Sequence, residues 1–261
     1  MGMSSDYDHD WLARLYATAP HERDQADVRY YLELAEWAQS TLEVGCGSGR
    51  VSIEMIHRGM DVTGVEPSQV MRQVLMDRLM ALPDLNHFFN VWNGTAQDIP
   101  DGVGKHELVI APYRVLNHAE GVLDQYDALV EMSAHTQPGG KIVFDVSEDP
   151  VFDPDGDVPE GHFLCGQQFM MDDEWWTPMV SYRELERRDG QVYAGVDWEF
   201  TGNGGETKTY PTSFLYTERG LWKDMAHQAG LEVESVCAGF DGEKAGVDLQ
   251  SRLVLTMRKP K

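Results

Sequence analysis

At 261 residues and 42% hydrophobic composition, the chain is long enough to bury a core as one large domain or as a domain with a sizeable insertion, and global disorder is set aside. Its 44 acidic against 21 basic residues give a formal net charge of −23, whose field repels phosphate backbones and anionic lipid, so neither a nucleic-acid nor a membrane partner is expected. Cys46, Cys165 and Cys237 lie far apart without metal-ligand spacing, no apolar run approaches the roughly 18 residues of a membrane span, and the acidic start "MGMSSDYDHD" is unlike a signal peptide, so a cytoplasmic protein with no metal site is expected.

Residues 1–40 carry apolar and aromatic side chains at helical spacing and read as an N-terminal helical cap. From 41 to 149 short apolar runs alternate with helical segments, the signature of βα units around a parallel sheet. "TLEVG" reads as a buried strand, "VSIEMIHRG" as a helix, "DVTGVE" as a strand, and "PSQVMRQVLMDRLMAL" as a helix with Pro67 in its first turn. "HFFNVW" and "ELVIA" are further strands, and a helix from about Leu123 to His135 ends at the turn "QPGG" before the strand "KIVFDVS". Residues 150–216 change texture: a loop rich in Pro, Gly and Asp leads into antiparallel strands, with a hairpin predicted around Asp189-Gly190. Residues 217–261 return to the main sheet through a helix capped by Thr217 and two closing strands. The expected fold is α/β: a doubly wound, seven-stranded, mostly parallel sheet with its last strand antiparallel and a β-rich insertion after the fifth strand, serving as a substrate lid.

The stretch "LEVGCGSGR" puts Gly45, Gly47 and Gly49 at alternate positions between a strand and a helix, where an ordinary tight turn rarely needs three glycines. Glu66 ends the next strand and is placed to accept from both hydroxyls of a ribose. A pyrophosphate fingerprint needs a small residue at position 50, and the chain has Arg50 there, which argues against a nicotinamide-dependent oxidoreductase. The pattern GxGxG preceded by Glu43, together with "VTGVEPSQVM", "NGTAQDIP", "ELVIAPYRVLNHA" and "QPGGKIVFDV" in that order, resembles the class I S-adenosylmethionine-dependent methyltransferases, and within them the small-molecule branch acting on amines and deoxysugar amino groups.

The resemblance implies S-adenosylmethionine as cofactor and an N-terminal segment that closes over it, with Tyr7 and Tyr16 lining the site. It places Gly45, Gly47 and Gly49 under the methionyl part, Glu43 toward the ammonium, Glu66 on the ribose, Met71 along the adenine, and Thr95, Ala96 and Ala111 beside the cofactor. Thr95-Ala96 stands where the family often has Asp and a small residue, with Asp98 as a stand-in for the adenine amine's partner. Glu66→Ala is expected to weaken cofactor binding while leaving the empty protein's stability almost unchanged. For the acceptor side, His118, Tyr113 and Tyr16 are the catalytic candidates, with Arg114 and Asn117 adjacent; capping the next helix is an equal reading for His118. Trp198, Trp222 and "DDEWW" raise the alternative of an aromatic cage. The acceptor is expected to be a small molecule, an amine before a hydroxyl. An O-methyltransferase, an oxidoreductase and a non-catalytic cofactor-binding protein are the alternatives. The oligomeric state, including a homodimer, stays open.

Overall fold

The computed structural model describes residues 9–18, 25–82, 89–147, 161–164, 167–188, 191–240 and 252–261. Tyr7, Cys165 and the Asp189-Gly190 turn lie outside the described residues. Two helices, α1 (Asp10–Thr18) and α2 (Gln25–Ala35), precede the first strand, β1 (Thr41–Val44). Then follow α3 (Ser52–His57), β2 (Val62–Val65), α4 (Gln69–Met80), β3 (Phe89–Trp92), β4 (His106–Ala111), α5 (Val122–Ala134) and β5 (Thr136–Ser147).

Every residue of β1 and β2 is buried, as expected of strands covered by helices on both faces. The main sheet runs β11-β12-β5-β4-β1-β2-β3, where β11 (Glu232–Ala238) and β12 (Arg252–Arg258) close the chain. β12 runs antiparallel to both β5 and β11, so the seven-stranded expectation holds in number and in the direction of the last strand. Local signals misplaced several boundaries. Ser68 caps α4 by accepting from the Met71 N–H at 3.2 Å, so Pro67 stands before the cap. "QPGG" stays within β5 as an irregularity, with Thr136 opposite His106 and Lys141 opposite Leu108. Thr217 is the last residue of β10 (Thr207–Thr217), and its hydroxyl donates to Gln125 at 2.7 Å; Glu218 instead precedes α6 (Arg219–Gln228).

The insertion forms a second, antiparallel sheet of β6 (Phe163–Leu164), β7 (Phe169–Met171), β8 (Glu174–Arg188), β9 (Gln191–Gly202) and β10. β8 and β9 pair up to Arg188 and Gln191, on either side of the predicted hairpin turn. Two devices join this sheet to the rest. Asn117 is buried and ties the end of β5 to β10: its amide donates to the Ser147 and Leu215 carbonyls at 3.2 and 2.8 Å and accepts from the Ser147 N–H at 2.9 Å. On the other side Leu12 and Leu15 of α1 pack with Phe169, Met171, Trp176 and Phe200, and Arg14 grips Asp172 through two bonds of 2.8 and 2.9 Å.

Candidate functional site

One cavity runs between the carboxyl ends of the main-sheet strands and the second sheet, with about 1090 Å³ of empty space including its open mouth. Its position, outside the strand ends and beside the first βα turn, is where open α/β sheets bind ligands. The turn after β1 folds back on β2, the N–H groups of Gly45 and Cys46 both donating to the Val65 carbonyl at 2.7 and 3.1 Å. The Gly47 N–H donates to Glu66 Oε2 at 2.9 Å, and the Gly49 N–H to the Cys46 carbonyl at 2.9 Å.

The three glycines answer to three different neighbours. All have positive φ, between 54° and 86°. A Cβ on Gly45 would lie 2.5 Å from Val115 of the segment after β4, and one on Gly49 would lie 2.3 Å from Leu75 of α4. At Gly47 a Cβ would meet nothing within 4 Å, because that residue lines the cavity. Gly49 therefore packs against Leu75 and Ile53 outside the cavity lining, whereas the sequence reading set it under the cofactor. Thr95 and Ala111 also stand outside the lining. Thr95 exchanges backbone hydrogen bonds with Asp98, and Ala111 is buried in β4, so their neighbours Ala96 and Pro112 reach the cavity in their place.

Glu43 and Glu66 are both buried and both line the cavity. Glu66 accepts from the Gly47 and Ser68 N–H groups at 2.9 Å each. Glu43 accepts from the Ser52 hydroxyl, yet burial pushes its pKa up to about 7 against the opposing pull of Ser52 and Arg50. Met71 lines the same end.

The opposite wall holds Tyr16, Tyr113, Arg114, His118, Trp198 and Phe214. Tyr16 stands edge-on to Tyr113 at 6.5 Å, and the His118 ring packs on Phe214 at 4.7 Å. Burial, with the nearby Arg114 charge, pushes the His118 pKa down to about 4, so the imidazole is neutral at physiological pH. The three catalytic candidates thus share one cavity. Asn117 does not join them, being the clip between sheets. Nor do the tryptophans form a cage: Trp222 is buried on α6 against Phe144, Trp176 lies among the residues under α1, and only Trp198 reaches the cavity. Phe214 carried no sequence motif, and Val115, although inside "ELVIAPYRVLNHA", was given no role; the pairing of β10 with β9 is what brings Phe214 to the site. Among the described residues no group of three His, Cys, Asp or Glu is placed to hold a metal ion.

Comparison with known proteins agrees with this geometry. Residues 41–140 match the model of a methyltransferase domain. The structure of the CcbJ methyltransferase from Streptomyces caelestis aligns with a TM-score of 0.78 over 99% of each chain at 20% identity. CalS10 from Micromonospora echinaspora, an amino pentose methyltransferase solved with S-adenosylmethionine bound, aligns at 0.67 over 96% of this chain and 97% of that chain with 18% identity. The sugar N-methyltransferase KedS8 from a Streptoalloteichus species aligns at 0.69 over 95% and 92% with 16% identity. At such identities the likeness is one of fold. A sequence search of curated proteins found no match.

Proposed function

We propose that the protein, whose residues 41–140 match the model of a methyltransferase domain, transfers the methyl group of S-adenosylmethionine to the nitrogen of a small-molecule amine. The observation that carries this reading is a single cavity lined by Glu43, Gly47, Glu66, Met71 and Ala96 on one side and by His118, Trp198 and Phe214 on the other. The lining fits the cofactor: Gly47 opens onto the cavity, Glu66 brings to it a carboxylate of the kind that pairs with ribose hydroxyls, and Glu43 offers a carboxylate to an ammonium. The turn also argues against a pyrophosphate ligand. A phosphate site needs backbone N–H groups aimed at the anion, and here those of Gly45, Cys46, Gly47 and Gly49 are engaged within the protein.

S-adenosylmethionine supplies a methyl group on a positively charged sulfur, so the task left to the protein is mainly to align a nucleophile and exclude water. Trp198 and Phe214 of the second sheet and Tyr16 of α1 line the wall that faces the glycine turn. A hydroxyl acceptor needs a base, and a histidine held near pKa 4 is a weak one. The same neutral imidazole suits a neutral amine, from which it accepts a hydrogen bond while the nitrogen lone pair points at the methyl. Two structural neighbours act on acceptors of this kind, one an amino pentose methyltransferase and the other a sugar N-methyltransferase. Calorimetry with S-adenosylhomocysteine, followed by its release on parallel panels of ring amines and alcohols, tests the reading. Binding with turnover of amines alone is expected. Binding of NADH without S-adenosylhomocysteine would overturn the cofactor, and turnover of alcohols alone would overturn the acceptor.

A further inference from the structure

We infer that Asp145, which lies in "QPGGKIVFDV" without a role assigned to it and does not line the cavity, is a positioning residue that fixes the Tyr113-Arg114 segment in its working conformation; this rests on the methyltransferase reading. The segment is the hinge between the two halves of the cavity: Val115 packs against Gly45, while Tyr113 and Arg114 line the wall. Tyr113 and Arg114 have φ of 64° and 65°, successive left-handed residues of a kind that side-chain-bearing residues adopt only when their surroundings impose it.

Asp145 supplies that constraint from the end of β5, beside β4. It is fully buried, and its Oδ1 accepts from the Tyr113 N–H at 2.7 Å and from the Tyr31 hydroxyl of α2 at 2.8 Å. Its Oδ2, with no hydrogen-bond donor among the described residues, faces Arg252 of β12 at 3.6 Å. Burial pushes the Asp145 pKa up, opposed by Arg252 and by these hydrogen bonds. An isolated carboxylate at such depth is costly, and a packing role alone is better served by an apolar side chain.

The ring of Tyr113 is fixed by the same neighbourhood. The guanidinium carbons of Arg50, Arg114 and Arg252 lie 4.8, 4.9 and 5.9 Å from its centroid. Arg50 is itself held in a two-pronged pair with the buried Asp27 of α2, and Arg252 faces Asp145. Two buried carboxylates therefore orient cations around one aromatic ring, and one of them also grips that residue's backbone.

The test is the affinity of Asp145→Asn and Asp145→Leu for S-adenosylhomocysteine, by calorimetry well below the melting temperature of each. Asparagine keeps an oxygen for the Tyr113 N–H, so its affinity should stay within about threefold of the parent. Leucine removes the acceptor at similar volume, and affinity should fall by about tenfold or more as the segment relaxes and Val115 leaves Gly45. Should the leucine variant fail to fold, adding Arg114→Gly, whose backbone takes positive φ without support, should restore folding and binding. Parent-like affinity in both variants, whatever their melting temperatures, overturns the proposal, as does equal weakening in both or a double variant that stays unfolded. A parent protein that does not bind S-adenosylhomocysteine sinks the methyltransferase reading instead.

Discussion

The floor of the cavity comes from residues within 43–51, 66–71 and 96, whereas the facing wall comes from Tyr16, residues within 112–118, Trp198 and Phe214. The floor is local: one strand, one turn and the end of the neighbouring strand suffice, and β1 and β2 pair residue for residue from Thr41–Val62 to Val44–Val65. The wall exists only once the second sheet has folded over the first, since Trp198 and Phe214 reach the cavity from β9 and β10 and the Asn117 clip ties β10 to the end of β5. A ligand common to many proteins can be held by backbone and a carboxylate, but an individual acceptor needs side chains gathered from afar.

The largest expected effect divides the floor itself. Gly49→Val sets a branched side chain against Leu75 and Ile53 at φ +86°, and should cost about 3 kcal/mol or more of stability. Gly47→Val faces open space at φ +54°, so backbone strain should cost only about 1–2 kcal/mol while S-adenosylhomocysteine binding is lost. Thermal melts paired with calorimetry separate the two. Equal destabilisation by both would mean that Gly47 is also a packing residue.

This division marks how far the sequence could be read. Three glycines and a strand-end carboxylate announced a ligand turn because the requirement for positive φ and the βαβ spacing are local facts. Which glycine has open space above it was not local, since it depends on Leu75 and Val115, which approach from other elements. Likewise the alternation of strands and helices gave the sheet, while the grouping of Asp145, Tyr31 and Arg252 left no sign, being assembled from β5, α2 and β12 only by the completed fold. Histidine 118 was legible because it follows the fourth strand directly, but the burial and the Arg114 charge that set its protonation were not.

Glu66→Ala comes next in size. Its loss should weaken S-adenosylhomocysteine by roughly 30- to 1000-fold, the effect of removing two charge-assisted hydrogen bonds. The structure corrects the expectation that the empty protein is indifferent, because the Gly47 and Ser68 N–H groups would lose their acceptor. A further loss of about 1–3 kcal/mol of stability should appear in the melt. Glu66→Gln, with one carbonyl oxygen, should recover part of both. An alanine variant that binds as tightly as the parent would take Glu66 out of the cofactor site.

The smallest effect sets floor against wall through pH. Glu43, raised from 4.5 to about 7 by burial, holds its proton more tightly in the folded chain than in the unfolded one; its contribution to stability is full below about pH 4.5 and is lost as pH rises through 7. His118, lowered from 6.5 to about 4, favours the fold above pH 6.5 and loses that contribution as pH falls toward 4. Around Glu43 stand Ser52, Arg50 and Glu66, and around His118 stand Arg114 and the Ser213 backbone, so neither group titrates against the other. An ammonium placed at Glu43 favours the carboxylate, and S-adenosylhomocysteine should therefore bind with release of a proton near neutral pH. Affinity should fall as pH drops below 7, approaching about tenfold per unit, since each unit below the pKa leaves a tenth of the carboxylate. Glu43→Gln should flatten that curve and abolish the proton release, measured by calorimetry in buffers of different ionisation enthalpy. His118→Asn should leave the curve as it is, because an imidazole already neutral from pH 6 to 8 has no proton to exchange there. A slope that survives Glu43→Gln and disappears in His118→Asn would place the cofactor's charge against the wall and reverse the assignment of the two halves.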